Sequence, residues 1–139
     1  MLKVVIDANV FVSALRNPGK PRDVLTALRQ DSFHVFYPLQ LIKELSKAPS
    51  KPKLAGKITV EDIVNLIRLV EHKATVVMVT NLPSASRDPD DNAYLACAAD
   101  ADCDYLVSGD RDLLDLVAHG NTKIVSPAQF LQIISSHPS

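Results

Sequence analysis

The sequence contains no tryptophan and few other aromatic residues, with 3 tyrosines and 4 phenylalanines among 139 residues. Proteins that stack single-stranded nucleic acid need aromatic side chains as a platform, and such a surface is poorly supplied here. An excess of charge of one sign is missing as well, because 15 basic and 16 acidic residues leave a formal net charge of −1. Attachment to nucleic acid by bulk positive charge is therefore disfavoured, and any nucleic-acid chemistry has to come from a focused site.

Long apolar runs and cysteine are also scarce. No apolar stretch approaches the roughly 18 residues of a membrane-spanning helix, and the N-terminus lacks the pattern of a signal peptide. The 2 cysteines, Cys97 and Cys103, predict buried free thiols rather than a disulfide framework or a thiolate zinc site. With an apolar fraction of 47%, these features predict a cytoplasmic globular protein that forms one domain over residues 1–139.

Short apolar strands alternate with helical segments along the chain. Strands are expected at 3–6, 34–37, 75–79, 105–107 and 122–125. Helices are expected at 9–15, from Pro21 onward, and at 38–47, 60–70, 91–101, 111–117 and 127–135. Such alternation predicts parallel strands joined by right-handed crossovers, with helices on both faces of the sheet. The expected fold class is α/β, a three-layer α/β/α sandwich with a parallel sheet of about five strands.

Acidic residues recur near the ends of the predicted strands. Asp7 interrupts the apolar run of the first strand, and Asp110 follows the fourth strand in LVSGDRDLL. Glu44 lies in the helix after the second strand, and Asp91 opens the helix that leads to the fourth. Because the carboxyl ends of parallel strands meet at one edge of the sheet, these acids are expected to share a cleft.

Carboxylates gathered in one cleft either take up protons or bind a hard cation, because two of them about 5 Å apart repel by roughly 3 kcal/mol. All-oxygen ligands suit Mg²⁺ or Mn²⁺, and a water held there can attack a phosphodiester. Polar residues that can orient such waters or the acids are Asn9, Ser13 and Ser108. Each acid also has a structural interpretation, as the end of a strand, a helix cap or a solvated surface residue.

Three segments, IDANVFVSAL, RDPDDNAYLACA and LVSGDRDLL, together resemble the PIN-domain family in their order and spacing. The nearest subgroup is the VapC-like ribonuclease toxins of prokaryotic toxin–antitoxin pairs. The resemblance implies an endoribonuclease that prefers single strands and uses Mg²⁺ or Mn²⁺. It implies catalytic roles for Asp7, Glu44, Asp91 and Asp110.

The resemblance also implies roles for neighbouring side chains. The implied metal ligands are Asp7, Asp91, Asp110 and an accessory acid, Asp112. The family's polar positions around the site are matched by Asn9, Ser13 and Ser108, and Asp88 matches a further recurrent position.

Partners follow from the same resemblance. RNA is expected to cross a groove near the acids, with phosphate contacts from Arg16, Lys20 and Arg22 and from the loop residues Lys51, Lys53 and Lys57. An antitoxin protein is expected to cover that groove or to insert a basic side chain among the acids. A homodimer is expected, with the apolar side of residues 60–70 as a candidate surface, although such a stripe is more typical of the core. No membrane partner is expected.

Other functions fit the same pattern less well. A haloacid-dehalogenase phosphatase needs a second Asp two residues after its nucleophile, where this chain has Asn9. A response-regulator receiver needs an Asp at the end of the third strand, where residues 79–81 are Val, Thr and Asn. A catalytically weak PIN fold that binds protein or RNA partners stays open as the alternative to a nuclease.

Overall fold

The computed structural model describes residues 1–79 and 89–136. Within them, the strands are β1 (Lys3–Ile6), β2 (His34–Tyr37), β3 (Thr75–Val76), β4 (Tyr105–Val107), β5 (Ala118–His119) and β6 (Thr122–Val125). They form one sheet in the order β3-β2-β1-β4-β6-β5. The pairing of β5 with β6 is antiparallel and the others are parallel. The predicted α/β class with five parallel strands is therefore confirmed, and β5 adds a short antiparallel edge.

Helices fill the connections between these strands. They are α1 (Ala8–Arg16), α2 (Lys20–Arg29), α3 (Leu39–Lys47), α4 (Val60–Lys73), α5 (Asn92–Asp100), α6 (Arg111–Leu114) and α7 (Pro127–Ser135). Single 3₁₀ turns lie at Ala48–Ser50, Pro52–Leu54 and Pro89–Asp91. Helix α2 packs against both α1 and α7, whereas α5 lies against β1, β2 and β4.

Both faces of the central strands are covered. In β1, Val4, Val5 and Ile6 are each at most 1% exposed. Because successive side chains of a strand point to opposite faces, this burial requires a helical layer on each side of the sheet. The core is therefore continuous through the sheet, and the places left for chemistry are the ends of the strands.

Local signals in the sequence account for where several helices begin. Thr59 accepts a hydrogen bond from the Asp62 backbone at 3.0 Å, and the Asp62 carboxylate accepts one from the Thr59 backbone at 3.0 Å. This reciprocal pair is a capping box and starts α4. Ser126 and Gln129 form the same arrangement at the start of α7, where Pro127 occupies the first turn.

The apolar stripe of residues 60–70 is divided between core and surface. Ile63 and Val70 are buried, whereas Val60 and Val64 are 66% and 38% exposed. The part of the stripe that remains available to a second copy of the chain is therefore limited to its first turns. Within the two described ranges, no helix combines the length and apolar character needed to cross a membrane.

The buried thiols predicted at positions 97 and 103 are confirmed. Cys97 and Cys103 are both free and buried. Burial raises the pKa of the Cys97 thiol to about 12 and that of Cys103 to about 11. Both side chains therefore act as small apolar residues in the core.

Two elements are shorter than predicted. Strand β3 ends at Val76 rather than Val79, although the Val77 backbone still donates to the Tyr37 carbonyl at 2.8 Å. Helix α6 ends at Leu114 rather than Val117. Val117 has a φ of 65°, in the left-handed region, and there the chain turns from α6 into β5. No sequence signal predicted this turn, because a β-branched residue rarely takes that conformation.

We expect Val117→Gly to stabilise the protein. Val117 is 68% exposed, so the substitution removes little packing. It relieves a strain of order 1–3 kcal/mol, and the added flexibility of the unfolded chain offsets about 1 kcal/mol of that gain. The free energy of unfolding in urea should rise by about 1 kcal/mol.

The matched control is Val64→Gly, which changes another partly exposed valine inside α4. This variant should lose about 1 kcal/mol or more, because glycine is a poor residue in a helix interior. Destabilisation of similar size in both variants would contradict the strain at Val117.

Candidate active site

Asp7 lies at the junction of β1 and α1. Its backbone N–H donates to the carbonyl of Val107 in β4 at 3.1 Å, which fixes the residue at the edge of the sheet. Its carboxylate oxygen Oδ1 accepts from the backbone N–H of Val10 at 3.1 Å and caps α1. The side chain is 3% exposed. The acid that interrupts the first strand is therefore a helix cap held inside the protein.

Ser108 connects Asp7 with the acids that follow β4. Its buried hydroxyl donates to Oδ2 of Asp7. The hydroxyl oxygen of Ser108 itself accepts a hydrogen bond from the backbone N–H of Asp110 at 2.9 Å. Because β1 and β4 pair in parallel with Ile6 opposite Val107, both strands end at the same level. Ser108 therefore fixes Asp7 relative to Asp110.

Three carboxylates form a cluster beside this connection. One oxygen each of Asp91, Asp110 and Asp112 lies within 4.8 Å of the other two. Asp91 is buried at the start of α5, and the other two are half-buried at the start of α6. Asp110 also caps α6, because its Oδ1 accepts from the Asp112 backbone at 2.9 Å. Its capping role and its membership of the cluster are thus compatible.

The chemistry of this donor set fits a hard divalent cation. At the observed separation, each pair of ionised carboxylates repels by about 3 kcal/mol at an effective dielectric of 20. The cluster, which we call the carboxylate cluster (Asp91, Asp110 and Asp112), offers oxygen ligands alone. Such ligands are the preferred donors for Mg²⁺ and Mn²⁺, and a cation would remove the repulsion.

Glu44 has a different environment. Its Oε1 accepts a hydrogen bond from Nε2 of Gln40 at 3.1 Å, and its Oε2 accepts one from the Tyr94 hydroxyl at 2.8 Å. Both of its carboxylate oxygens are therefore engaged by neighbouring side chains. Glu44 is not a member of the carboxylate cluster, although its charge acts on Asp7.

The pKa of Asp7 is raised from 3.8 to about 6. Burial is the largest cause, and the negative charges of Asp110 and Glu44 raise the pKa further. The hydrogen bonds from Ser108 and Val10 act in the opposite direction, because they stabilise the ionised form. Asp7 is therefore an acid whose ionisation is costly unless positive charge is nearby.

A cleft of about 650 Å³ opens beside Asp110. One wall is α1 and the other is the loop around the second 3₁₀ turn. Cationic side chains on the walls are Arg16, Lys51 and Lys53, and polar ones are Asn9 and Ser13. Apolar surface comes mainly from Val12, Pro21, Pro52 and Leu54. The cleft therefore places positive charge and a mostly apolar surface next to one acid of the cluster.

The remaining predicted residues have diverse positions. Lys20 is exposed at the start of α2 and does not itself line the cleft, although its neighbour Pro21 does. Arg22 donates to the carbonyl oxygens of Ala14 and Leu15 at 2.8 and 3.3 Å, at the end of α1. Asp88 lies outside the described residues.

Sequence reasoning missed Gln40 and Tyr94 at this site. For Gln40 the available signal was its spacing, because it precedes Glu44 by four residues and lies on the same helix face. Nothing in the sequence marked Tyr94, because its partner Glu44 lies on another helix, α3.

Replacing Asp7 with Asn tests the electrostatic cost of this buried acid. Because the folded pKa of about 6 exceeds the ordinary value of 3.8, the folded state retains a proton that the unfolded state releases between these pH values. The stability of the metal-free wild type should therefore fall, relative to Asp7→Asn, as pH rises through this window, by up to roughly 3 kcal/mol. Urea unfolding in EDTA across the same pH range measures the difference.

Asp100→Asn, at an exposed carboxylate outside the site, is the control. Its stability curve should run parallel to that of the wild type. If the Asp7→Asn curve is also parallel to it, the raised pKa is refuted.

Comparison with known proteins agrees with the geometry. The uncharacterized protein MJ1680 of Methanocaldococcus jannaschii is 28% identical over 141 aligned residues, which cover 94% of this chain and 90% of that protein. A family model described as PIN domain matches residues 3–112, which include β1 and the whole carboxylate cluster. PIN domains are generally nucleases and typically use divalent metals. This match over most of the sequence shows that the chain belongs to the PIN domain family.

Proposed function

We propose that the protein is a metal-dependent endoribonuclease that hydrolyses RNA phosphodiester bonds. The observation that carries the proposal is the carboxylate cluster, which lies beside the buried Asp7 at the carboxyl edge of the sheet. A cleft with cationic walls opens at the same place. Membership of a family of nucleases supports a hydrolytic role, and the resemblance to VapC-like proteins supports RNA as the substrate.

The residues that would hold the cation are Asp91, Asp110 and Asp112, with Asp7 next to them. A divalent cation in this position supplies Lewis acidity and positive charge for the transition state of phosphodiester hydrolysis. Ser108 holds Asp7 and the Asp110 backbone in a fixed relation before any ligand arrives. Little reorganisation is then needed at the moment of reaction, which favours catalysis.

The substrate path is assigned to the cleft. Arg16, Lys51 and Lys53 line it together with Asp110, so a strand that contacts these cations reaches that acid of the cluster. We assign phosphate contacts to these three residues, and not to Arg22, because its guanidinium is engaged by two backbone carbonyls. Unpaired RNA is assigned as the substrate because the resemblance to the PIN-domain family implies a preference for single strands.

The toxin role is the finer part of the proposal. It is supported by the resemblance of the three sequence segments to VapC-like toxins. On this reading, an antitoxin protein would occupy the cleft and bring a basic side chain to the acids. A homodimer in the cytoplasm belongs to the same proposal. A binding module that uses this cleft without catalysis is the competing function, and it would not need a cation.

Asp110→Asn tests the metal-dependent reaction. In the wild type, Mn²⁺ at about 100 times its dissociation constant should stabilise the fold by about 2.7 kcal/mol and raise the melting temperature. The variant should lose most of this increase. Its cleavage of a labelled RNA pool should fall by more than about 100-fold, because removal of a direct ligand exceeds the effect of an outer partner.

Asp100→Asn serves as the control and should retain both responses. Wild-type cleavage that continues in EDTA would refute metal dependence. A melting temperature that does not respond to Mn²⁺, together with no cleavage, would favour the binding module.

The double variant Lys51→Ala/Lys53→Ala tests the substrate path. Each lost phosphate contact should reduce the slope of log affinity against log salt by about 0.7 for single-stranded nucleic acid. The double variant should therefore lose about 1.4 from the slope. Fluorescence anisotropy of a labelled single-stranded RNA, bound to Asp110→Asn protein at several salt concentrations, measures this.

The matched control is Lys20→Ala/Lys57→Ala, which removes two exposed lysines that do not line the cleft. If both double variants reduce the slope equally, the positive charge acts diffusely and the assigned path is wrong.

A further inference from the structure

Tyr94 carries a hydroxyl group into the interior where α1, α3 and α5 meet. The residue is 1% exposed and belongs to α5. Its hydroxyl donates to Oε2 of Glu44 on α3. The backbone of Ala8, at the start of α1, hydrogen-bonds to the phenol oxygen of Tyr94. The charge of Asp7 also acts on this phenol. The buried Tyr94 hydroxyl thus lies among α1, α3 and α5. Asp7 and Asp91 lie at the starts of α1 and α5, and Glu44 lies within α3.

The two partners of the hydrogen bond between Tyr94 and Glu44 differ in burial. Glu44 is half-buried, so water can replace a lost partner on its side. The Tyr94 hydroxyl is inside the protein, and the acceptor that the structure gives it is Glu44. Gln40, one turn earlier on α3, holds the other oxygen of the carboxylate. Glu44 is therefore restrained at both oxygens.

We propose that Tyr94 is a positioning residue that holds Glu44 beside Asp7 and apart from the carboxylate cluster. Glu44 then acts as a fixed negative charge that favours a cation at the neighbouring cluster, and not as a ligand of that cation. Tyr94 is too deeply buried to contact RNA or the cation, so it acts through Glu44. The kinetic consequences of this inference rest on the proposed nuclease function. The hydrogen bond between Tyr94 and Glu44 is independent of that function.

Unfolding measurements test the contact independently of activity. In EDTA, Glu44→Leu should lower the urea midpoint, because it leaves the buried hydroxyl of Tyr94 without its acceptor. Adding Tyr94→Phe to that variant should raise the midpoint again, because the unpaired hydroxyl is removed. Tyr94→Phe alone should lower the midpoint only slightly. If the double variant is less stable than Glu44→Leu, the hydrogen bond does not have the assigned role.

Mn²⁺ affinity and cleavage kinetics test the positioning role. Tyr94→Phe should raise the Mn²⁺ dissociation constant severalfold and lower kcat by about tenfold, with KM within about twofold of wild type. In the Glu44→Leu background, the same substitution should change neither quantity by more than about twofold. The matched control is Tyr105→Phe, which removes a tyrosine hydroxyl from β4 outside the site and should leave both quantities unchanged.

The possible outcomes separate the two proposals. If wild type cleaves no RNA, the nuclease proposal fails, and the Mn²⁺ dissociation constants alone decide the role of Tyr94. If Tyr94→Phe leaves that constant unchanged, or still alters it when Glu44 is already Leu, Tyr94 does not act through Glu44 and the inference is overturned.

Discussion

Repulsion between carboxylates at one edge of the sheet is the constraint that organises this protein. The fold holds Asp91, Asp110 and Asp112 within 4.8 Å of one another and buries Asp7 nearby. Part of the repulsion is offset locally, because Asp7 and Asp110 accept hydrogen bonds from backbone N–H groups at the starts of α1 and α6. These helix starts carry partial positive charge. A divalent cation would neutralise the negative charge that remains and remove the rest of the repulsion.

The strand order explains why the acids meet at this place. From β1 the chain proceeds to β2 and β3 on one side, and β4 then returns to pair with the other side of β1. The pair β1 and β4 is therefore the switch point of the sheet, where the connections diverge and leave a crevice. Asp7 follows one of these strands, and Ser108 and Asp110 follow the other. Parallel pairing turns residues a hundred positions apart into neighbours.

Much of this arrangement could be predicted from the sequence, because it depends on features that repeat along the chain. Continuous apolar strands and capping residues such as Thr59 predicted the sheet and its helices. The proximity of Asp91 and Asp110 was predicted because the carboxyl ends of parallel strands meet at one edge of the sheet. The turn at Val117 could not be predicted, since its conformation is unfavourable locally and depends on the pairing of β5 with β6. The engagement of Arg22 by two carbonyls likewise depends on how α1 and α2 pack. Tyr94 in an alanine-rich helix was indistinguishable from an ordinary core residue until α3 was placed beside it.

The acids of the site form two groups that differ in what holds their charges in place. In the carboxylate cluster, Asp110 and Asp112 lie just after β4, where the Asp110 carboxylate accepts from the Asp112 backbone, so the local backbone determines their positions. Glu44 lies on a helix face, and side-chain partners on α3 and α5 determine where its charge is. The position of the Glu44 charge is therefore sensitive to the loss of one hydroxyl on another helix, that of Tyr94. Because the chain as a whole is nearly neutral, such local placement, and not the net charge, determines where a cation and a phosphate chain can meet.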